Sequence, residues 1–153
     1  MVASRKAPDR IRGDIVAAAI DVIGRLGIEG LTHRAVAASA DVSLSSTTYH
    51  YASREDIIAA AFQHMVDAER SSIQQGTQSV ELQSERNPSS VRAAMTALMQ
   101  RIISSDFDNP TYLRAQYELQ LYAVNQPDMR AAVRAWQDDV VRAVAQLLSQ
   151  LGI

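Results

Sequence analysis

Apolar residues recur along this chain at helical rather than strand spacing. Ile11, Ile15, Ala18, Ala19, Val22, Ile23 and Leu26 fall at i, i+3 and i+4 intervals and predict an amphipathic helix from about Asp9 to Leu26. Gly27 then fits a left-handed C-cap, and Gly30 a second loosening point. Thr32 is a candidate N-cap for a short helix ending near Ser39 and burying Ala35, Val36 and Ala38. Ala40, Asp41 and Val42 form a turn with Val42 pointing inward, and Ser43 caps another short helix ending near His50 or Tyr51. Ser53 caps a fourth helix, with Asp56 completing a capping box. Ile57, Ile58, Ala61, Phe62, Met65 and Val66 carry that helix to about Ile73.

From Gln74 to Ser90 the pattern lapses into a polar connection. Ser89 or Ser90 then reopens a helix to about Ser105, burying Val91, Met95, Leu98, Met99, Ile102 and Ile103. Asp106 to Asn109 reads as a turn, and Pro110 suits the first position of the next helix. That helix, Thr111 to Val124, is apolar nearly all round, which predicts a place in the middle of a bundle. Gln126-Pro127 breaks it. The last helix, Asp128 to Leu151, carries Met129, Val133, Trp136, Val140, Val144, Leu147 and Leu151, with Ala132, Val141, Ala145 and Leu148 as a second row. A face that broad packs inside its own bundle and still offers an edge to a partner. With no strand pattern and no internal repeat, the fold class is all-α.

Composition narrows the function. The chain has 153 residues, 47% apolar and 21% charged, enough for one core or a small core with an appended module. No apolar run approaches the length of a membrane span, and Met1 to Arg12 is basic and polar rather than a secretory leader, so the expected location is cytoplasmic. The absence of cysteine removes disulfides, thiol catalysis and Cys-based zinc sites. His33, His50 and His64 do not pair at i, i+4, and there is neither a glycine-rich phosphate loop nor an acid pair in a plausible cleft. No enzyme activity, metal or cofactor is expected.

Net charge is −2, and residues through Met65 hold seven basic and seven acidic side chains. Bulk charge therefore argues against non-specific nucleic-acid binding. Local clusters set the field a phosphate backbone feels, and Arg5, Lys6, Arg10 and Arg12 gather before the first helix is under way. Of these, Arg5, Lys6 and Arg10 fit either an arm following the minor groove or a disordered basic tail. The segment from Gly30 to Ile58 carries the sharper signal. Two short helices joined by a tight turn, the second presenting hydroxyls, a His and a Tyr, suit insertion into a major groove.

That segment resembles the DNA-binding domain of TetR-family transcriptional regulators. The family pattern G-x-T-x-R-x-[VI]-A-x-x-[AS]-G-V-S, then a recognition helix ending Y-x-H-F, then S-K-E-x-[LI], is matched at Gly30, Thr32, Arg34, Val36, Ala37, Ala40, Val42, Ser43, His50, Ser53, Glu55 and Ile57. Asp14 to Gly27 resembles the family's first helix, so the close match covers about one third of the chain. Tyr117 to Ala123 is similar to a stretch in some members, a less specific likeness. Asp41 stands where the turn usually has Gly, tolerable because Asp enters the left-handed region at modest cost. Thr48 replaces the usual Tyr, with Tyr49 beside it; Tyr51 replaces Phe and Arg54 replaces Lys. These departures read as a changed operator preference.

The resemblance implies an N-terminal three-helix helix-turn-helix DNA-binding domain (residues 1–53) followed by a helical effector-binding and dimerisation bundle (residues 54–153). Members commonly carry a further C-terminal helix that completes the dimer interface, so either a final helix is lacking here or dimerisation uses Asp128 to Leu151 and other surfaces. Arg34 is expected to reach base edges, where Arg grips guanine bidentately. Ser45, Ser46, Thr48 and Tyr49 form the exposed side of the recognition helix, and such a run of poor helix formers suggests an external reason for them. Thr32 and Ser43 join the DNA-facing set, with Arg54 as a phosphate clamp. His50 reads as a phosphate contact, with a half-buried structural histidine as the alternative.

In the second half, Met95, Met99, Ile102, Gln116, Tyr117, Gln120 and Trp136 are the candidate effector pocket, against a plain core. Tyr112, Tyr122 and Phe107 are further candidate lining. Glu118 is expected to be satisfied internally, by Arg101 or Arg114. The reading is a homodimeric repressor on a palindromic double-stranded operator, released by a small-molecule effector. The rival is a helical adaptor protein without effector control.

Overall fold

A computed structural model describes residues 8–83, 93, 96 and 109–150, and every regular element among them is helical. The first helix, α1 (Pro8–Leu26), buries Ile15, Ala18, Ala19, Val22 and Ile23 as the periodicity predicts. It also buries Val16 and Ile20 on a second side, because it is covered by other helices on more than one face. Leu26 departs from the expected stripe and is 61% exposed.

Gly27 adopts φ 76° and ψ 171°. This is the mirror-extended region rather than the left-handed helical one, a conformation essentially confined to glycine. It swings the chain into a short 3₁₀ turn (Ile28–Gly30) that buries Ile28, with Leu31 buried after it. Gly30 has no positive φ; a Cβ there would meet the Cβ of Leu26, so its smallness serves close approach, not looseness.

The next two helices form as their caps predict. Thr32 Oγ1 accepts from Ala35 N at 3.1 Å to start α2 (His33–Ser39), and Ser43 Oγ accepts from Ser46 N at 3.1 Å to start α3 (Leu44–His50). Between them Asp41 takes φ 51°, and Val42 N donates to Ala37 O at 3.1 Å. In α2 the buried residues are Val36 and Ala37; Ala38, expected inside, is exposed.

Ser53 and Asp56 close a reciprocal capping box: Ser53 N donates to Asp56 Oδ2 at 2.9 Å, and Asp56 N to Ser53 Oγ at 3.0 Å. The helix they start, α4 (Arg54–Gln83), is 30 residues long. It runs on where the sequence suggested a connection from Gln74, since Gln, Ser and Glu are tolerated in a helix whose outer faces meet water. The helix expected between Ser89 and Ser105 lies outside the described residues, apart from helical positions 93 and 96.

Asn109 accepts from Tyr112 N at 3.1 Å and, with Pro110 next, opens α5 (Pro110–Asn125). This helix is one-sided. Ala115, Leu119 and Ala123 at i, i+4, i+8 are buried, whereas Tyr117 (59%), Leu121 (67%) and Val124 (53%) are exposed. The expectation of burial all round therefore fails. Pro127–Met129 forms a second 3₁₀ turn before α6 (Arg130–Gln150), in which Val133 is buried and Trp136 packs against the core while Val141 is exposed.

One apolar cluster runs from Ile15 in α1 through Ile57 and Met65 in α4 to Leu119 in α5 and Val133 in α6. Packing thus crosses the expected division at residue 53. Gly24 is buried at a close approach of α1 to α5: a Cβ there would fall on the carbonyl oxygen and methyl group of Thr111. Glu118 and Arg114 on α5 reinforce the junction. Glu118 Oε2 accepts from Ile28 N at 3.4 Å, Arg114 Nη1 donates to Arg25 O at 3.4 Å, and the two side chains pair at 3.8 Å. Internal satisfaction of Glu118 with Arg114 is thereby met.

Candidate functional site

The short helix α3 divides cleanly into two faces. Thr47 is fully buried, its hydroxyl donating to Ser43 O at 3.4 Å. Leu44, Ser45, Thr48 and Tyr49, spaced i, i+1, i+4, i+5, point to solvent, with Ser46 and His50 at the margins. A helix so rich in Ser and Thr holds together because several hydroxyls bond locally. Thr48 Oγ1 lies 3.2 Å from both Leu44 O and Ser45 O, and the Ser43 and Ser45 hydroxyls are 2.9 Å apart. These bonds account for part of what had suggested an external partner.

Tyr49 has no such internal account. It is 85% exposed, and among the described residues its ring pairs with that of His50 in a T-shaped contact, at 5.2 Å between centroids and 81° between planes. His50 is half-buried, which suits the structural alternative as well as a phosphate contact. Arg34 stands exposed in the first turn of α2. Arg12 lies 5.7 Å over the Tyr51 ring, tying the start of α1 to the end of α3. Arg10 is exposed; Arg5 and Lys6 lie outside the described residues.

Three expected DNA contacts have intramolecular tasks. Thr32 and Ser43 spend their side-chain oxygens on helix caps. Arg54, expected as a phosphate clamp, is turned inward: Nε donates to Leu31 O at 2.9 Å and Nη2 to Ile28 O at 2.6 Å. A guanidinium presents its donors in a planar fork, and this one closes the 3₁₀ turn that precedes α2. Asp56 sits nearby with its carboxyl held below the usual range, first by the Ser53 hydroxyl and then by the Ser53 backbone N–H.

A small, partly open cavity lies between α4, α5 and α6. Phe62, Met65, Val66 and Glu69 line it from α4, Gln116 and Gln120 from α5, and Trp136 from α6. The two glutamines and Trp136 meet as the sequence suggested. Tyr117 does not join them, because burying Ala115 and Leu119 rotates it to the outer face. Met95, Met99 and Ile102, and with them Phe107 and Arg101, lie outside the described residues.

Glu69 went unnoticed in the sequence. Its signal was there: Phe62, Met65, Val66 and Glu69 fall at i, i+3, i+4, i+7, an acid continuing an apolar stripe. Glu69 Oε2 accepts from the Trp136 indole N–H at 2.7 Å. Next to it, Arg70 pairs with Asp139 of α6 and approaches Asp67 at 3.9 Å. The Asp139 carboxyl is held below its usual range by hydrogen bonds from Arg142 and then Arg70.

Comparison with known proteins covers both halves. The family model described as bacterial regulatory proteins, tetR family, matches residues 15–61, and the model for the tetracyclin repressor-like C-terminal domain matches residues 86–153. The multidrug binding protein EbrR, in complex with imidazole, is 31% identical with a TM-score of 0.61, over 95% of this chain and 75% of that one. EbrR has also been solved with ethidium, malachite green and proflavin. SCO1917 from Streptomyces coelicolor A3, described as a member of the TetR family, is 33% identical with a TM-score of 0.60, over 88% of this chain and 73% of that one. SCO7518 from Streptomyces coelicolor A3(2) is 26% identical with a TM-score of 0.70, over 90% and 75%. No match was found among curated proteins.

Proposed function

We infer that this chain, which belongs to the tetR family of bacterial regulatory proteins, is a cytoplasmic repressor that reads a palindromic operator as a homodimer and leaves it on binding a small molecule. The observation that carries the DNA-reading face is Tyr49, an aromatic ring 85% exposed on α3 with Ser45 and Thr48 beside it and Arg34 exposed on the adjoining helix. In a helix-turn-helix the second helix enters the major groove, so α3 brings Tyr49 and Ser45 to base edges and phosphates. Thr48 presents mainly its methyl group there, since its hydroxyl is bonded back to the helix. Arg34 is placed to donate to a guanine or a phosphate.

The effector reading rests on the cavity between α4, α5 and α6. Two of its walls lead to the DNA-reading face: α4 begins where α3 ends, and α5 packs on α1 at Gly24. A molecule entering the cavity thereby acts on elements that position α2 and α3, favouring a head separation that does not fit the operator. Aromatic molecules of the kind bound by EbrR are the natural first candidates. The exposed apolar residues Tyr117, Leu121 and Val124 of α5 and Val141 of α6 supply surface for a second copy.

Selection of double-stranded DNA from a random pool at moderate salt tests this reading. The expected product is a palindrome whose half-sites lie about one helical turn, or a multiple of it, apart. A mass measurement of the complex should give two chains per duplex or a multiple of two. Recovery of no enriched sequence would favour the adaptor reading.

A further inference from the structure

We propose that α3 reads thymine methyl groups in the major groove, with Leu44 as a specificity-determining residue and the Thr48 methyl group and Tyr49 ring beside it. The proposal rests on the reading of α3 as the DNA-reading helix and adds what that helix recognises. Leu44 opens α3 and is 45% exposed, while the fully buried position of the same helix is held by Thr47. A leucine outside and a threonine inside invert what burial alone would choose. Leu44, Thr48 and Tyr49 fall at i, i+4 and i+5, so they share one helix face, and all three are exposed.

The Thr48 and Ser45 hydroxyls on that face are already bonded. Thr48 Oγ1 donates back to the helix, 3.2 Å from both Leu44 O and Ser45 O, which leaves its methyl as the group offered to a groove. The Ser45 hydroxyl pairs with that of Ser43 at 2.9 Å, and Ser43 Oγ also caps the helix. The major-groove edges of the bases carry hydrogen-bond donors and acceptors and one apolar substituent, the C5 methyl of thymine. An aliphatic side chain laid over a cytosine amino group or a guanine carbonyl desolvates it and returns no bond. Against thymine the same side chain gains apolar contact with the one substituent that needs no partner. Arg34, exposed in the first turn of α2, supplies a polar contact from the adjoining helix, so the α3 face is free to discriminate by apolar fit.

The test uses the duplex selected from a random pool, remade with deoxyuridine in place of each thymidine in turn, in both half-sites together. This deletes the methyl and keeps the base pair. At the position under Leu44, deoxyuridine should weaken binding of the full chain about fourfold per methyl, and about tenfold or more over the two half-sites, in an anisotropy titration. Leu44→Ala should keep helix content, since the side chain is exposed, and should bind the thymidine and deoxyuridine duplexes equally at that position. A parallel loss on both duplexes, with the wild-type ratio kept, overturns the assignment to Leu44. Thr48→Ser deletes the methyl and keeps the hydroxyl, so it should weaken binding more than Thr48→Val; equal losses or the opposite order overturn the methyl reading at Thr48. If a duplex is selected but its half-sites hold no thymine, or no deoxyuridine weakens binding, DNA reading stands and the thymine-methyl proposal falls. If no sequence is enriched, both fall.

Discussion

Gly24→Ala is the most informative single perturbation of the junction between α1 and α5. The added methyl would sit closer than 3.0 Å to the Thr111 carbonyl oxygen, its carbonyl carbon and its Cγ2. Two of those atoms are backbone and cannot swing aside, so the helices must separate. Overpacking of this kind costs up to about 3 kcal/mol. Alanine is about 1 kcal/mol better than glycine inside a helix, leaving a net loss of roughly 2 kcal/mol. For a chain of this size that lowers Tm by about 4–8 °C. Gly13→Ala is the internal control: it lies on the same helix, exposed, and its added methyl meets nothing within 4 Å. It keeps the propensity gain alone and should raise Tm by about 2–4 °C. Thermal melts followed by helical circular dichroism measure both. A Gly24→Ala protein melting at or above the wild type would refute the close packing of α1 on α5.

Two further outcomes follow from particular contacts. Arg54→Ala removes the donors to Leu31 O and Ile28 O and should cost about 1–3 kcal/mol in a denaturant titration, whereas a phosphate clamp would leave stability untouched and reduce the salt dependence of DNA binding. The Asp56 carboxyl is depressed by its bonds from Ser53, so its contribution is full above the usual carboxylate range and is lost as pH falls through its lowered value. Asp56→Asn should therefore be less stable than the wild type at neutral pH and converge with it in acid, and a constant difference across an acid titration would contradict this.

The helix starts around the DNA-reading face were legible because each is decided by bonds spanning three residues. Thr32 to Ala35, Ser43 to Ser46 and Ser53 to Asp56 all close within one turn, and their chemistry stands in the sequence. The direction of Arg54 was not legible, since its partners lie 23 and 26 residues away in a turn whose geometry depends on Gly27. The same holds for Glu69, whose indole partner is 67 residues distant. On α5 the apolar positions exceed what one neighbouring face can bury, so periodicity could not tell Leu119, fully buried, from Leu121, largely exposed. The extension of α4 to Gln83 was hidden for the opposite reason, as a polar run suits a solvated helix and a loop alike.

The central claim is that Arg34 and Tyr49 on α2 and α3 read DNA. A fluorescence anisotropy titration of the selected duplex with Arg34→Ala, Tyr49→Ala and wild-type protein tests it most directly. Both residues are exposed, so each substitution should leave helix content intact. Each should weaken binding by about 1–3 kcal/mol, and Arg34→Ala should also relax the preference at one base pair of each half-site. Wild-type affinity in both variants, with the fold intact, would contradict the account.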